Sequence, residues 1–147
     1  MTDTTSIRNA TRDDVAFLAD CNIAMAWESE EKRLDRDVLT RGIVAERDGK
    51  RAGSLLITHE WSDWRNGGWW WIQSVYVMPD ARRCGVFSSM YRAIESRART
   101  ASGVIGLRLY VEKENTGAQK TYEALGMEPA YYSLYQRAWS EPPGGQA

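Results

Sequence analysis

The sequence predicts a single α+β domain built on a mixed, mostly antiparallel sheet flanked by helices. Three observations lead there. The chain has 147 residues, the length of one domain with a real core. Two strong turn signals, Asp48-Gly49 and Asn66-Gly67-Gly68, separate β-rich runs at hairpin spacing. Further along, two stretches with helical apolar spacing enclose another β-rich run. The domain is expected to cover residues 1–138, with residues 139–147 forming a disordered tail that ends in the pattern-free "SEPPGGQA".

Each element has a local reason. Ile7 and its neighbours suit a short first strand. Thr11 then precedes the periodic set Val15, Leu18, Ala19 and Ile23, with Asp14 three residues on, so a capping box is expected in which Asp replaces the usual Glu. A second helix is expected over "EEKRLDRDVLTRG", stopped by Gly42. "IVAERDGKRAGSLLITHEW" is a hairpin around Asp48-Gly49, and "WWWIQSVYV" should run antiparallel to its second arm until Pro79. A helix follows from about Val86 to Thr100, then a strand in "VIGLRLYVE", then a short helix in "TGAQKTYEAL" closed by Gly126 as a left-handed cap. "YYSLYQRAW" has the composition of a last strand.

Composition removes several function classes. The 19 basic and 20 acidic side chains nearly cancel, so no general attraction to nucleic acid or to a membrane surface is expected. No apolar run reaches the roughly 18 residues of a membrane span, and the polar N-terminus has no secretory hydrophobic segment. Cys21 and Cys84 lie in unrelated contexts without metal-ligand spacing. A reduced cytoplasmic protein without a metal is therefore the expectation. The unusual feature is seven tryptophans, among them Trp61, Trp64, Trp69, Trp70 and Trp71 in one short stretch.

The stretch "PDARRCGVFSSM" is the first place where chemistry is concentrated. A glycine-containing loop entering a helix exposes N–H groups without intrahelical partners, and the positive end of the helix dipole suits a phosphate or pyrophosphate. Arg82 and Arg83 would add charge, Ser88 a hydroxyl in the first turn, and Gly85 a close approach to the backbone. An ordinary strand–helix connection with solvated arginines explains the same residues, and a single glycine does not decide between them.

The second half of the chain does. With "LRLYVEKENTGAQKTYEALGM", the segments resemble the GNAT family, the Gcn5-related N-acetyltransferases. The family's loop, Arg/Gln-x-x-Gly-x-Gly/Ala, is matched by Arg82 and Gly85, with Phe87 at its last place. Its second signature, Asn-x-x-Ala-x-x-x-Tyr-x-x-x-Gly-Phe, is matched by Asn115, Ala118, Tyr122, Gly126 and Met127. The resemblance covers roughly residues 5 to 137. It implies a GNAT fold with a central strand–loop–helix site for acetyl-CoA, used as co-substrate, and transfer of its acetyl group to a primary amine by direct attack in a ternary complex. The acceptor, a small molecule or a peptide, is not named by these motifs.

The same resemblance assigns expected roles. Val75, Tyr76 and Val77 would offer backbone donors to the pantetheine arm. Arg82, Arg83, Cys84, Gly85, Val86, Phe87 and Ser88 would form the pyrophosphate cradle, and Asn115 and Ala118 would support the arm, with helix capping a compatible role for Asn115. Tyr122 would donate a hydrogen bond to the leaving sulfur, since a thiol of pKa ~8.5 leaves a phenol of pKa ~10 mostly protonated. Phe87 departs from the small residue expected at its place, and its spacing with Tyr91 and Ile94 points it inward as a core residue. Cys84 lies at the wrong end of the cofactor for an acyl-enzyme.

The general base is the gap. Many family members carry a glutamate on the strand before the loop, whereas the comparable positions here are Trp71 and Gln73. An alkyl amine of pKa ~10.4 is neutral only about once in 2500 molecules at pH 7, so something must take its proton. Glu60 is the first choice, ahead of His59 and Asp63, although a carboxylate between tryptophans also reads as a turn residue or an arginine partner, with Arg65 the nearest. Gln73 would hydrogen-bond the acceptor or a water, or serve as an ordinary strand amide. Strict alternation sends Trp69, Trp71, Gln73, Val75 and Val77 to one face and Trp70, Ile72, Ser74 and Tyr76 to the other. Trp61, Trp64 and Trp71 would then wall an acceptor pocket, cover the seam of a homodimer, or pack in the core. A non-catalytic acyl-CoA sensor and a dimerisation module with the same fold remain alternatives to an enzyme.

Overall fold

The computed structural model describes residues 4–25 and 42–139. The helix expected over "EEKRLDRDVLTRG" and the expected tail beyond residue 139 lie outside the described residues. Five strands form one sheet in sequence order: β1 (Thr5–Asn9), β2 (Ile43–Arg47), β3 (Lys50–Ser62), β4 (Gly67–Val77) and β5 (Val104–Leu109). The first four pair antiparallel, and β5 pairs parallel to β4. Among the described residues three α-helices accompany them: α1 (Val15–Met25), α2 (Val86–Thr100) and α3 (Thr116–Ala124). The sheet is therefore mixed and mostly antiparallel, as expected.

Local chemistry explains the joints. Asp48 and Gly49 adopt φ values of 51° and 72°, the left-handed pair that closes a two-residue hairpin between β2 and β3. Asp14 ends a single 3-10 turn (Arg12–Asp14) before α1, and its carboxylate accepts the Thr11 N–H at 2.8 Å. That carboxylate is buried. It also receives Arg8 at 2.6 and 2.9 Å and Arg51 at 2.8 Å, tying β1, the helix entry and β3 together. The two guanidiniums, Arg8 first, hold the Asp14 carboxyl well below the usual carboxylate range.

The helices take opposite faces of the sheet. Val86, Met90, Tyr91 and Ile94 of α2 pack on Ile43, Ala45, Leu55, Ile57 and Ile72. Leu18 of α1 packs on Val44 and Leu56, the alternate positions of the same strands. Among the described residues no helix is long and apolar enough to cross a membrane.

Two expectations are corrected. Residues 131–139 form no strand and every one of them is exposed. A β-rich sequence becomes a strand only against a partner ladder, and none stands beside it among the described residues. The β4 alternation also fails past Gln73. Leu56 pairs with Gln73, whereas Ser54, two residues earlier, pairs with Tyr76, three residues later, so β4 carries one extra residue. Ser74, at φ 50°, makes this β-bulge. Val75 and Val77 consequently join Trp70 and Ile72 at the α2 core and leave the face of Trp69, Trp71 and Gln73.

Candidate acyl-transfer site

The bulge and the loop after β4 shape one region. β4 pairs with β5 only from Gly68 to Ile72. From Gln73 to Val77 it keeps its β3 partner, but its other edge has no strand beside it among the described residues. Backbone groups of Val75, Tyr76 and Val77 thus lie along an unpaired strand edge. The chain then turns through Pro79–Ala81 into the loop Arg82–Gly85.

That loop is wound tightly, with Arg83 at φ 62° and Gly85 at φ 75°. Gly85 caps α2 in the left-handed region, and a Cβ built on it would meet no atom within 4 Å. The position needs glycine for its conformation, while the space beside it stays free. Beyond it the first N–H groups of a 15-residue helix, at Val86, Phe87 and Ser88, have no intrahelical acceptor. Arg82 folds back, donating from Nε to the Val77 carbonyl at 3.1 Å with its guanidinium over the Tyr76 ring. It therefore ties the loop to β4, and Arg83, exposed, is the better-placed cation for an anion at the helix end. The Cys84 thiol is exposed and directed to the Arg82 carbonyl at 3.4 Å.

The second signature closes on the same helix end. Asn115 caps α3, its Oδ1 accepting the Ala118 N–H at 3.1 Å. One turn on, the Tyr122 ring meets Phe87 at 5.5 Å in an edge-on contact. Phe87 is half-buried against the α2 core, which accounts for a large residue where a small one is usual. Burial pushes the Tyr122 phenol above its ordinary pKa, so it remains a hydrogen-bond donor at neutral pH. Gly126, at φ 89°, turns the chain after α3 as expected.

The candidate base lies elsewhere on the sheet. Glu60 sits within β3, since that strand runs to Ser62. Its Oε2 accepts Trp71 Nε1 at 2.5 Å and its Oε1 accepts Arg108 at 2.9 Å. The arginine partner is thus Arg108 of β5, while Arg65 lies over the Trp69 ring. Arg108 also covers Trp69, at 4.0 Å from the ring centroid, and Trp71 stacks on Tyr110 at 4.4 Å. Gln73 donates to Thr58 Oγ1 at 2.9 Å and is otherwise exposed.

The other tryptophans are dispersed. His59 stands edge-on to Trp70 on the α2 face, and strand alternation places Trp61 on that face too, away from Trp71. Trp64 is 90% exposed in the turn after β3, where Asp63 accepts its N–H at 2.7 Å. Asp63 is therefore a turn residue. Arg108 and Tyr110 were missed from sequence. The alternation of Gly106, Arg108 and Tyr110 against Leu107 and Leu109 was the available signal, but only the β4–β5 register shows which side meets Glu60.

Comparison with known proteins extends this geometry. The profile of the acetyltransferase (GNAT) family matches residues 7–127. A solved possible acetyltransferase from Clostridium difficile 630 is 39% identical with a TM-score of 0.76, covering 93% of this chain and 99% of that one. A ribosomal-protein-alanine N-acetyltransferase from Brucella melitensis biovar Abortus 2308 is 19% identical, with TM-score 0.75 and coverage of 93% and 100%. A predicted acetyltransferase from Clostridium acetobutylicum, solved with acetyl-CoA, is 18% identical, with TM-score 0.68 and coverage of 91% and 96%. No curated protein matches the chain at a significant level.

Proposed function

This chain belongs to the acetyltransferase (GNAT) family, and we propose that it is an N-acetyltransferase moving the acetyl group of acetyl-CoA to a primary amine by direct attack in a ternary complex. The observation that carries the proposal is convergence. The open edge of β4 at residues 73–77, the N-terminus of α2 behind Gly85, which has no side-chain cap, and the half-buried Tyr122 against Phe87 lie along one path.

The residues fit that donor. Pyrophosphate suits the N–H groups of Val86, Phe87 and Ser88 with Arg83 beside them, because a helix end presents both unpaired donors and a positive dipole. The pantetheine arm suits the open edge at Val75–Val77, where amides exchange hydrogen bonds as a strand would, and Asn115 and Ala118 hold α3 at its side. When bound, acetyl-CoA supplies the thioester and the leaving sulfur. Tyr122 gives that sulfur a hydrogen bond as negative charge develops, and the proton follows late. Holding both reactants in line supplies much of the remaining acceleration.

The acceptor side is built on the Trp71 face. Glu60 there is a carboxylate fixed by an indole N–H and a guanidinium, and these two hydrogen bonds leave about half of a carboxylate's roughly four lone-pair sites for another donor. We assign it to hold the acceptor's ammonium or the water that takes its proton. Gln73, whose carbonyl oxygen takes no hydrogen bond among the described residues, orients the same group. Trp71, braced by Tyr110, is the wall, and Trp64, exposed in the turn after β3, is a more distant candidate at the rim, whereas Trp61 faces the other side of the sheet. The cytoplasm, which supplies acetyl-CoA, is the proposed compartment.

The test is release of free thiol from acetyl-CoA across a panel of primary amines, including aminoglycosides and peptides with free N-termini. Turnover with at least one class supports the enzyme. CoA binding without turnover on any amine would instead favour an acyl-CoA sensor.

A further inference from the structure

Trp69 shares a sheet face with Glu60 and Trp71, yet the acyl-transfer reading gives it no task. Its ring lies directly over Gly106 of β5, where an added Cβ would meet two ring carbons at 2.6 and 3.1 Å. Glycine inside a strand marks such a close approach. Two guanidiniums stand against the seated ring, Arg108 at 4.0 Å and Arg65 at 5.7 Å from its centroid. The indole Nε1 is buried and donates to no acceptor among the described residues. An unpaired buried donor is costly, and a ligand oxygen at the ring edge would relieve it.

Charge around the ring does not balance. Arg108 donates to Glu60 at 2.9 Å, so these two neutralise one another. Arg65 is exposed in the turn between β3 and β4, and no carboxylate pairs with it among the described residues. One positive charge is therefore left beside the ring, and most N–H groups of both guanidinium forks remain unused. Arg65, Trp69, Gly106 and Arg108 also line an open groove of about 850 Å³, which gives a ligand access to them. A guanidinium resting on an indole is common at protein surfaces. Here it stands beside Glu60, so a site for a cation and a site for an anion adjoin.

We propose that the acceptor is a free amino acid, a primary amine that also carries a carboxylate: Glu60 takes its ammonium, and Arg65 with the unused side of Arg108 takes its carboxylate beside Trp69. The inference rests on the acyl-transfer reading and narrows its open class of primary amines. Arg65 and Trp69 then determine specificity. A planar guanidinium fork matches the two oxygens of a carboxylate. Trp71, the wall at the ammonium, and Trp69 are two residues apart on β4, about 7 Å along a strand, which suits the span of a small amino acid. A polycationic acceptor is disfavoured, because its second ammonium would meet the Arg65 charge. The amine nitrogen gives one proton to Glu60 or its water and bonds the acetyl carbon as the carbon–sulfur bond breaks. The ammonium form and acetyl-CoA thus become the N-acetyl amino acid, CoA thiol and one released proton, with the carboxylate unchanged.

The test compares matched acids and amides on the full chain. Thiol release from acetyl-CoA is followed with the common α-amino acids, β-alanine and γ-aminobutyrate, each beside its carboxamide, and rates are expressed per free amine. At least one acid should exceed its amide in kcat/KM by about tenfold or more, the worth of a hydrogen bond to a charged group. Arg65→Ala should shrink that ratio towards one, mainly through KM, and Arg65→Lys should keep part of it. Arg65 is exposed in a turn, so both variants should fold. If no acid exceeds its amide while some amine is acetylated, the enzyme stands and the proposal is overturned. A preference that Arg65→Ala leaves intact overturns it too. A chain that acetylates no amine fails the acyl-transfer reading instead, and the carboxylate site is then judged by binding of N-acetyl amino acids, followed at the Trp69 indole N–H resonance. A shift with the acid that is absent with its amide and lost in Arg65→Ala upholds the site; no shift, or an equal one with both, overturns it.

Discussion

At the scale of the residue, Tyr122 carries the plainest expectation. Its ring is held by Phe87 and its hydroxyl is kept protonated by burial. Tyr122→Phe preserves the ring and removes only the donor. Turnover should fall by about 100-fold, the low end for a general acid whose leaving group departs fairly well unaided. Acetyl-CoA affinity should change little, as for a contact made mainly in the transition state; wild-type turnover in steady-state assays would reduce Tyr122 to a packing residue. Glu60→Gln keeps the shape and removes the charge that holds Arg108 and that is proposed to hold the acceptor. Its turnover should drop and its pH–rate profile should lose the acid-side ionisation, while His59→Gln, on the other face of the sheet, should match wild type. If Glu60→Gln keeps both the rate and the profile of wild type, the amine loses its proton directly to solvent. Tyr122 could be singled out from sequence because the family signature it matches, with Asn115, Ala118 and Gly126, is written in local spacing, and the structure adds its contact with Phe87. The surroundings of Glu60 were not, because Arg108 lies 48 residues away in sequence and reaches it only through strand pairing.

At the scale of the element, local chemistry was read correctly and long-range pairing was not. The Asp48-Gly49 hairpin, the Thr11–Asp14 cap and the bounds of α2 each depend on neighbours within a few residues. The Ser74 bulge does not. A serine at positive φ inside "WWWIQSVYV" leaves no mark on the pattern, yet it reverses the faces of Val75 and Val77. Asp14 shows how one side chain joins several elements. Its pKa in the folded state is depressed by Arg8 and Arg51, so the folded protein binds fewer protons than the unfolded one as pH falls below about 5. The stability Asp14 contributes is therefore complete above its unfolded pKa of ~3.9 and is lost progressively as pH falls below that value toward the depressed pKa of the folded state. Asp14→Ala should cost about 2–3 kcal/mol at neutral pH, because both arginines can turn to water. Urea unfolding of the variant should also show a shallower loss of stability between pH 5 and pH 3 than wild type; equal slopes would mean that other carboxylates govern acid sensitivity.

At the scale of the molecule, two opposed faces and one open edge divide the work. The α2 face buries the larger core cluster and the α1 face a smaller one, the Trp71 part of that second face is the proposed acceptor side, and the end of β4–β5 pairing at Ile72 leaves an open β4 edge, the proposed slot, that leads toward Gly85. The central claim is that this slot and helix end take CoA. It is tested most directly by calorimetric titration of CoA into wild type, Gly85→Ala and Gly85→Asp. Alanine adds left-handed strain at φ 75° without meeting any neighbour, so it should weaken binding modestly. Aspartate puts a carboxylate where the pyrophosphate sits and should abolish measurable binding, with the thermal unfolding of the ligand-free protein changed no more than by alanine. Equal CoA affinity in Gly85→Asp and wild type would contradict the assignment.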